Sequence, residues 1–405
     1  MKKKNSLRSL LDKKTLLPEV RDDSAKLQIA LWRVWPSRIR FCCNGSCTTG
    51  PDIRMLIFTF VLFNVPMIAF IFSVGLKIIE FLSYYVIIIA GILFLLVNIF
   101  LLLTAYVNPG IIRRCPLPEV VQKSKSKNQI VYPTSSKDVQ INGDKYRLFY
   151  CETCNIYRPP RTSHCRRCDQ CVEKFDHHCP WVGSDVGLRN YRYFALFVFL
   201  ITFSEYFIIV FSLVLLSLLT KKNFADFDGF DAFSEATKKA PETLIFAIFL
   251  LFTAWPTTNL SFFHFGLISQ NLTTREFIKN RYQARENPFS HGCCGNWKEV
   301  FCSKNPKTNF SFKSFISENE LESLKIQVLK PESKCWPEKK LQIIEFYQKY
   351  QKTINLKSEI LKENLIENDL EKLNENLNEN LNEDNDLILD EDNNENLKEN
   401  DLEIK

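Results

Sequence analysis

Four long apolar runs limit what this chain can fold into. Met55 to Leu76 and Tyr84 to Val107 contain no Asp, Glu, Lys or Arg. Tyr193 to Leu219 carries a single acid, Glu205, and Thr243 to Ser269 carries only His264 near its far end. At about 1.5 Å per helical residue each run crosses the roughly 30 Å hydrocarbon core of a bilayer, whereas buried helices of soluble proteins seldom need more than about 14 consecutive apolar residues. The whole-chain averages, 46% hydrophobic and 24% charged, conceal this segregation. The expectation is an all-α integral membrane protein with four transmembrane helices.

Basic residues near the span ends predict orientation. Residues 1–54 hold 12 Lys/Arg against 5 Asp/Glu, and residues 108–192 hold 15 against 8, while residues 221–242 hold 4 against 5. Both termini and the loop between the second and third spans are therefore expected in the cytosol. The charged opening MKKKNSLRSLLDKK does not read as a signal peptide, so the first span is expected to act as the insertion signal. All 14 cysteines fall in the segments assigned to the cytosolic side, where reducing conditions favour metal ligands or reactive thiols over disulfides.

The domain layout follows: a cytosolic arm (1–54), two spans (55–107), a cytosolic loop (108–192) whose Cys-rich part is 151–192, two further spans (193–269), a cytosolic C-terminal region (270–355) and an acidic Leu/Asn/Glu tail (356–405). The tail holds 17 acids against 5 bases and favours disorder, with an amphipathic helix as the alternative. Gln122 to Lys127 reads as a flexible connection.

The loop carries the chemistry. Between Cys151 and Phe194 stand six cysteines (151, 154, 165, 168, 171, 179) and three histidines (164, 177, 178). The Cys-x-x-Cys pairs 151/154 and 165/168 have the spacing that lets two thiolates reach one tetrahedral zinc at about 2.3 Å. Nine soft ligands close two four-ligand sites with one to spare. If one Cys and one His are kept for chemistry, seven remain, and Asp185 stands near enough to supply an eighth. A zinc-finger pair used only for binding is the competing reading. Nucleic acid is not the expected partner, because the loop is tied to a membrane at both ends.

These residues resemble the DHHC family of protein S-acyltransferases, through Asp176-His177-His178-Cys179, the Cys151/Cys154 pair, Arg158-Pro159-Pro160-Arg161, His164-Cys165, Cys168, Cys171, Pro180-Trp181-Val182-Gly183, Asn190 and Phe194. Coverage runs over roughly residues 33–303 and includes the four-span layout. The resemblance implies a cytosolic zinc-binding Cys-rich domain between the second and third spans, with two structural Zn2+. One would be held by Cys151, Cys154, His164 and Cys171, the other by Cys165, Cys168, His178 and residue 185. The family usually has cysteine at that last place, where this chain has Asp185.

It also implies that Cys179 takes an acyl group from acyl-CoA, typically palmitoyl-CoA, and passes it to cysteines of substrate proteins. His177 would be the base and Asp176 its orienting partner. Cys179 lies 14 residues before the third apolar run, so it can sit at the water–lipid boundary, with Trp181, Phe194 and Phe197 as candidate walls for the acyl chain. Arg158, Arg161, Arg166, Arg167, Lys174, Arg189 and Arg192 are candidates for CoA phosphates, though positive-inside bias accounts for most of them. The expected setting is the Golgi or endoplasmic reticulum, with the plasma membrane as the alternative. The expected partners are the membrane and cytosol-facing proteins with juxtamembrane cysteines. A membrane-tethered zinc-finger scaffold without transferase activity is the alternative function.

Flanking motifs extend the resemblance. Asn108-Pro109-Gly110 is similar to the family's Asp-Pro-Gly, and Thr273-Thr274-Arg275-Glu276 matches its Thr-Thr-x-Glu, expected to anchor the active-site loop. Asn287, Phe289, Gly292 and Asn296 resemble a short membrane-proximal motif, and Cys293-Cys294 with Cys302 resembles that of the subgroup that uses an accessory subunit. These cysteines, and Cys42, Cys43 and Cys47, are also candidates for acylation themselves.

Overall fold

The computed structural model describes residues 29–115, 134–141, 144–283, 286–308, 310–316 and 348; the Gln122–Lys127 connection, Cys335 and the acidic tail lie outside them. The four apolar runs form helices Ile53–Ile78, Tyr85–Tyr106, Tyr191–Asn223 and Glu242–Ser269. Their outward surfaces are apolar, with Ile57, Val65, Leu95, Ile248 and Trp255 exposed and Phe252 82% exposed. A continuous face of that kind is unfavourable in water and matches lipid. The first span passes Pro66 and continues through a π-helical turn at Ile71–Gly75.

The third span is the central post of the bundle. Phe207, Ile208 and Leu215 pack with Met67, Phe70 and Ala90 in one apolar cluster; nearer the loop, Phe194, Phe197 and Ile201 pack with Leu56, Val97 and Leu101 in a second. Polar side chains within the bundle find partners there. Asn64 and Asn98 exchange amide hydrogen bonds between the first two spans at 2.9 and 2.6 Å, and each also donates to the carbonyl four residues earlier, Phe60 and Phe94. Glu205 faces the bundle, as a carboxyl group in lipid must, and accepts a hydrogen bond from Thr257.

The connection between the third and fourth spans, read from sequence only as a charge-balanced link, contains a helix at Gly229–Lys239 that buries Ala232 and Ala236. Lys239 donates to Asn223 at 2.9 Å, and Lys77 pairs with Glu242 at 2.7 Å, so three span ends are tied together on that face.

The opposite face carries the Cys-rich loop, which is built mainly of strands. It consists of short antiparallel hairpins: Ser136–Ile141 with Asp144–Cys151 and Ile156–Tyr157, Ser163–Cys165 with Gln170–Val172, and His177–Cys179 with Ser184–Val186. In the last two of these hairpins every strand is three residues long, too short to hold together by ladder hydrogen bonds alone. Side chains must close them. The C-terminal segment is stitched beneath the fourth span: Asn287 donates to the Gln270 carbonyl at 2.8 Å and Asn296 to the Ser269 carbonyl at 2.9 Å, satisfying carbonyls that a helix end leaves open.

Candidate active site and metal centres

Strand register explains how neighbouring residues take different roles. In the His177–Cys179 strand successive side chains alternate faces, so His177 and Cys179 share one face and His178 points to the other. Asp185 stands directly across from His178 in the paired strand, and in the second hairpin His164 stands across from Cys171.

On one side of the loop, Cys151, Cys154, His164 and Cys171 bring their ligand atoms within 4.8 Å of one another. His164 Nδ1 lies 3.5 Å from both Cys151 and Cys154 Sγ and 3.8 Å from Cys171 Sγ. Tetrahedral zinc with bonds of about 2.3 Å to sulfur and 2.0 Å to nitrogen separates such ligands by about 3.5 Å. Asn155 and Asp169, each following the second Cys of a Cys-x-x-Cys pair, are left-handed (φ 53° and 56°), which bends both thiols of each pair inward. The residues present fit a closed structural zinc.

The second group is Cys165, Cys168, His178 and Asp185, also within 4.8 Å of one another. His178 Nδ1 lies 3.4 Å from Cys168 Sγ and 2.8 Å from Asp185 Oδ1. Asp185 is fully buried, and its Oδ2 has no hydrogen-bond partner. A buried carboxylate oxygen left bare is costly, and a cation held by the four residues removes that cost. Both histidines turn their other ring nitrogen to a carboxylate: His178 Nε2 to Asp52 at 2.8 Å and His164 Nε2 to Asp169 at 3.5 Å. Such outer partners fix the tautomer that leaves Nδ1 free to bind a metal. Asp52 is in turn held by Arg167 (Nε to Oδ2, 3.0 Å), and Asp169 by buried Arg114 (3.1 Å).

On the opposite face of the strand, His177 Nδ1 donates to Asp176 Oδ2 at 2.7 Å. Asp176 is 2% exposed and accepts two further hydrogen bonds, from the Thr274 amide at 2.8 Å and the Thr274 hydroxyl at 2.6 Å. Burial pushes the Asp176 carboxyl up, but the bonds from His177 and Thr274 outweigh it and keep it below the usual carboxylate range. Burial likewise lowers the His177 imidazole, while hydrogen bonds to Asp176 and Cys179 hold it up at about 10. With Nδ1 committed to Asp176, Nε2 is the atom left to face Cys179. Cys179 itself is buried in the loop-side apolar cluster with Phe194, Phe197 and Val182.

Thr273 caps the short helix Thr274–Ile278 in a reciprocal box with Glu276, and Glu276 also clamps Arg161 through both oxygens at 2.9 and 2.7 Å. The Thr-Thr-x-Glu segment thus anchors the loop and caps a helix at once. Asn108 accepts from the Gly110 and Ile111 amides, both at 2.9 Å, and so closes the turn after the second span.

Of the candidate acyl-chain walls, Phe194 and Phe197 are buried beside Cys179, whereas Trp181 is 48% exposed and leans on Phe58 at 6.2 Å. Among the basic candidates, Arg161, Arg167 and Lys174 are engaged by Glu276, Asp52 and Glu299. Arg158 instead lines a basic cavity with Arg147, Arg275, Lys279 and Arg281.

Two site residues are reached only through the fold. His264 of the fourth span comes within 4.8 Å of the Asp176 and His177 polar atoms, packs on Phe194 at 5.0 Å, and shares a hydrogen bond with Tyr191 at 3.1 Å. Asp52 reaches His178 across 126 residues. An imidazole inside an apolar run was the available signal for His264; nothing local marked Asp52.

Residues 144–281 match a family model described as DHHC palmitoyltransferase. Palmitoyltransferase ZDHHC18 of Mus musculus is 35% identical over 302 residues, covering 70% of this chain and 76% of its own length. Protein S-acyltransferase 8 of Arabidopsis thaliana is 36% identical over 302 residues (71% and 73%), and Probable protein S-acyltransferase 5 of the same plant is 36% identical over 300 residues, where the match spans 62% of that relative. With both candidate ligand sets, Asp176 and the His177–Cys179 strand inside the matched segment, the chain belongs to the DHHC palmitoyltransferase family.

Proposed function

We propose that this DHHC-family protein S-acyltransferase works through an acyl-Cys179 intermediate. The observation that carries the reading is the shared strand face of His177 and Cys179, with Asp176 fixing His177 from behind. His177 Nε2 accepts the proton of the Cys179 thiol, and the thiolate attacks the thioester carbonyl of acyl-CoA. The C–S bond to CoA breaks, and the departing CoA thiolate takes the proton back from the imidazolium. A substrate cysteine then repeats the sequence on the acyl-Cys179 thioester, in ping-pong order. Asp176 stays ionised and stabilises the imidazolium.

The ligand sets Cys151/Cys154/His164/Cys171 and Cys165/Cys168/His178/Asp185 would hold structural zinc, which cross-links the hairpins and offers no open position to substrate. The basic cavity of Arg147, Arg158, Arg275, Lys279 and Arg281 supports a place for the CoA phosphates. For the acyl chain, a narrow interhelical cavity lined by Phe63, Val97 and Ile201, and farther on by Met67, Glu205 and Leu250, adjoins the apolar cluster around Cys179 and would have to widen to admit it. Phe194 and Phe197 would form its entrance.

The charge distribution supports a cytosolic catalytic loop and cytosolic termini; the proposed setting is the Golgi or endoplasmic reticulum, with the plasma membrane as the alternative, and the proposed substrates carry cysteines beside the same membrane. Cys293, Cys294 and Cys302 are exposed on helix Gly292–Cys302, a surface open to an accessory subunit. Purified protein incubated with labelled palmitoyl-CoA is expected to acquire a hydroxylamine-labile label that Cys179→Ala abolishes. Equal labelling of both proteins would overturn the assignment and return the chain to a zinc-folded scaffold.

A further inference from the structure

Outside the catalytic loop, one more group of ligand side chains converges. The strands Arg40–Cys42 and Cys47–Thr49 pair as a hairpin in which Cys42 and Cys47 stand directly opposite each other. Cys43 lies in the connecting turn, where Cys43, Asn44 and Gly45 all take left-handed backbone conformations (φ 50°, 53° and 82°). Such angles are uncommon for a non-glycine residue, and two in succession fold the turn back over its own strands. Gly45 has no room for a side chain, since a Cβ there would lie 2.8 Å from the Trp32 ring. The sulfurs of Cys42, Cys43 and Cys47 consequently come within 4.8 Å of one another. Cys42 and Cys47 are half-buried and Cys43 is exposed, so the group is both held and open to solvent.

We propose that Cys42, Cys43 and Cys47 form a third metal site, built for a soft monovalent ion, Cu(I). Three sulfurs around one ion at bonds of about 2.3 Å stand about 4 Å apart, a spacing compatible with the one observed here. The donor set selects the ion. Among the described residues no fourth His, Cys, Asp or Glu joins the group, whereas both zinc sets are complete with four ligands. Structural zinc is almost always four-coordinate; an all-thiolate set favours soft ions such as Cu(I), which three sulfurs can enclose. Binding releases the thiol protons to solvent and changes no oxidation state.

The hairpin is mechanically joined to the catalytic loop. Phe41 packs on Trp32 at 6.4 Å and on Phe312 at 4.8 Å, anchoring one strand. The other strand runs through Gly50, whose bare Cα abuts the Gly183 carbonyl, to Asp52, the partner of His178. An ion at the hairpin would therefore stiffen the segment that delivers Asp52.

The test uses full-length protein in detergent, carrying its zinc, under anaerobic reducing conditions, with Cu(I) supplied as its complex with a chromophoric chelator. Wild-type protein is expected to withdraw about one equivalent more copper than the Cys43→Ser/Cys47→Ser variant, with zinc content unchanged in both. Cys43→Gly gives a second reading, because glycine keeps the left-handed turn while removing the sulfur; its copper affinity is expected to fall about 100-fold or more. Equal copper uptake by wild type and variants, or copper uptake matched by zinc release, overturns the proposal. So does one more zinc in the wild-type protein than in the double variant, which would assign the hairpin to zinc.

Discussion

Thr274 holds Asp176 through two hydrogen bonds, its amide donating to Oδ1 at 2.8 Å and its hydroxyl to Oδ2 at 2.6 Å. Asp176 belongs to the catalytic loop and Thr274 to the segment after the fourth span. The pair therefore couples the position of His177 to the loop-side end of the fourth span.

Thr274→Val keeps the shape and the amide but removes the hydroxyl. Hydrogen bonds to charged groups are worth about 1.5–3 kcal/mol, so thioester formation at Cys179 is expected to slow about 10- to 100-fold. Thr274→Ser is expected to recover most of the rate. Single-turnover labelling with zinc content measured in parallel checks this; an unchanged rate for the Val variant would remove Thr274 from the machinery.

Asp185 offers a direct test of the second metal centre. Asp185→Ala is expected to lower zinc from about two per chain toward one, while Asp185→Cys retains about two and resists chelators longer, a thiolate being the softer ligand. Metal analysis by mass spectrometry decides it, and two zincs in the Ala variant would exclude Asp185 as a ligand.

The buried Arg161–Glu276 pair should be sensitive to loss of one member. Side-chain exposures are 7% and 4%, so Glu276→Ala leaves the buried guanidinium without its counter-charge, held by Asn271, and also removes the capping box. A loss of about 3–5 kcal/mol is expected. Thermal unfolding in detergent would register it as a lowered Tm; a shift near zero would contradict the burial.

The basic cavity predicts a defect in donor binding. Arg158→Ala with Arg275→Ala is expected to raise KM for palmitoyl-CoA about 10-fold with kcat little changed, an effect that shrinks at high salt. Steady-state kinetics at two ionic strengths would expose a failure, namely an unaltered KM.

Leu250 lines the far part of the interhelical cavity. Leu250→Trp should exclude about two methylenes, and at about 0.8 kcal/mol each the preference for a 16-carbon over a 14-carbon donor should fall about 10-fold. Competition between the two acyl-CoAs, read by mass spectrometry of Cys179, provides the comparison. An unchanged ratio would place the chain elsewhere.

The spans were legible because lipid imposes one simple demand, an uninterrupted apolar stretch, and the four runs observed lie within a few residues of those read from sequence. The two four-residue clusters that could hold a metal were legible in part because Cys-x-x-Cys spacing is local, while their division into two sets followed from the family resemblance. What escaped was of two kinds. The two hairpins that carry the catalytic strand and His164 have strands of only three residues, below the length at which alternation can be recognised, and they exist because side chains converge on them. Asp52 and His264 join the site through long-range contacts that no window of sequence contains.

The reciprocal amides of Asn64 and Asn98 bear on how the protein is made. In a solvent without hydrogen-bonding groups, each amide is the other's best escape from an unsatisfied state, and their match fixes the axial register of two adjacent helices. The N-terminal helix pair can therefore zip together as soon as it leaves the translocon, giving the later helices a finished wall to dock on during biogenesis.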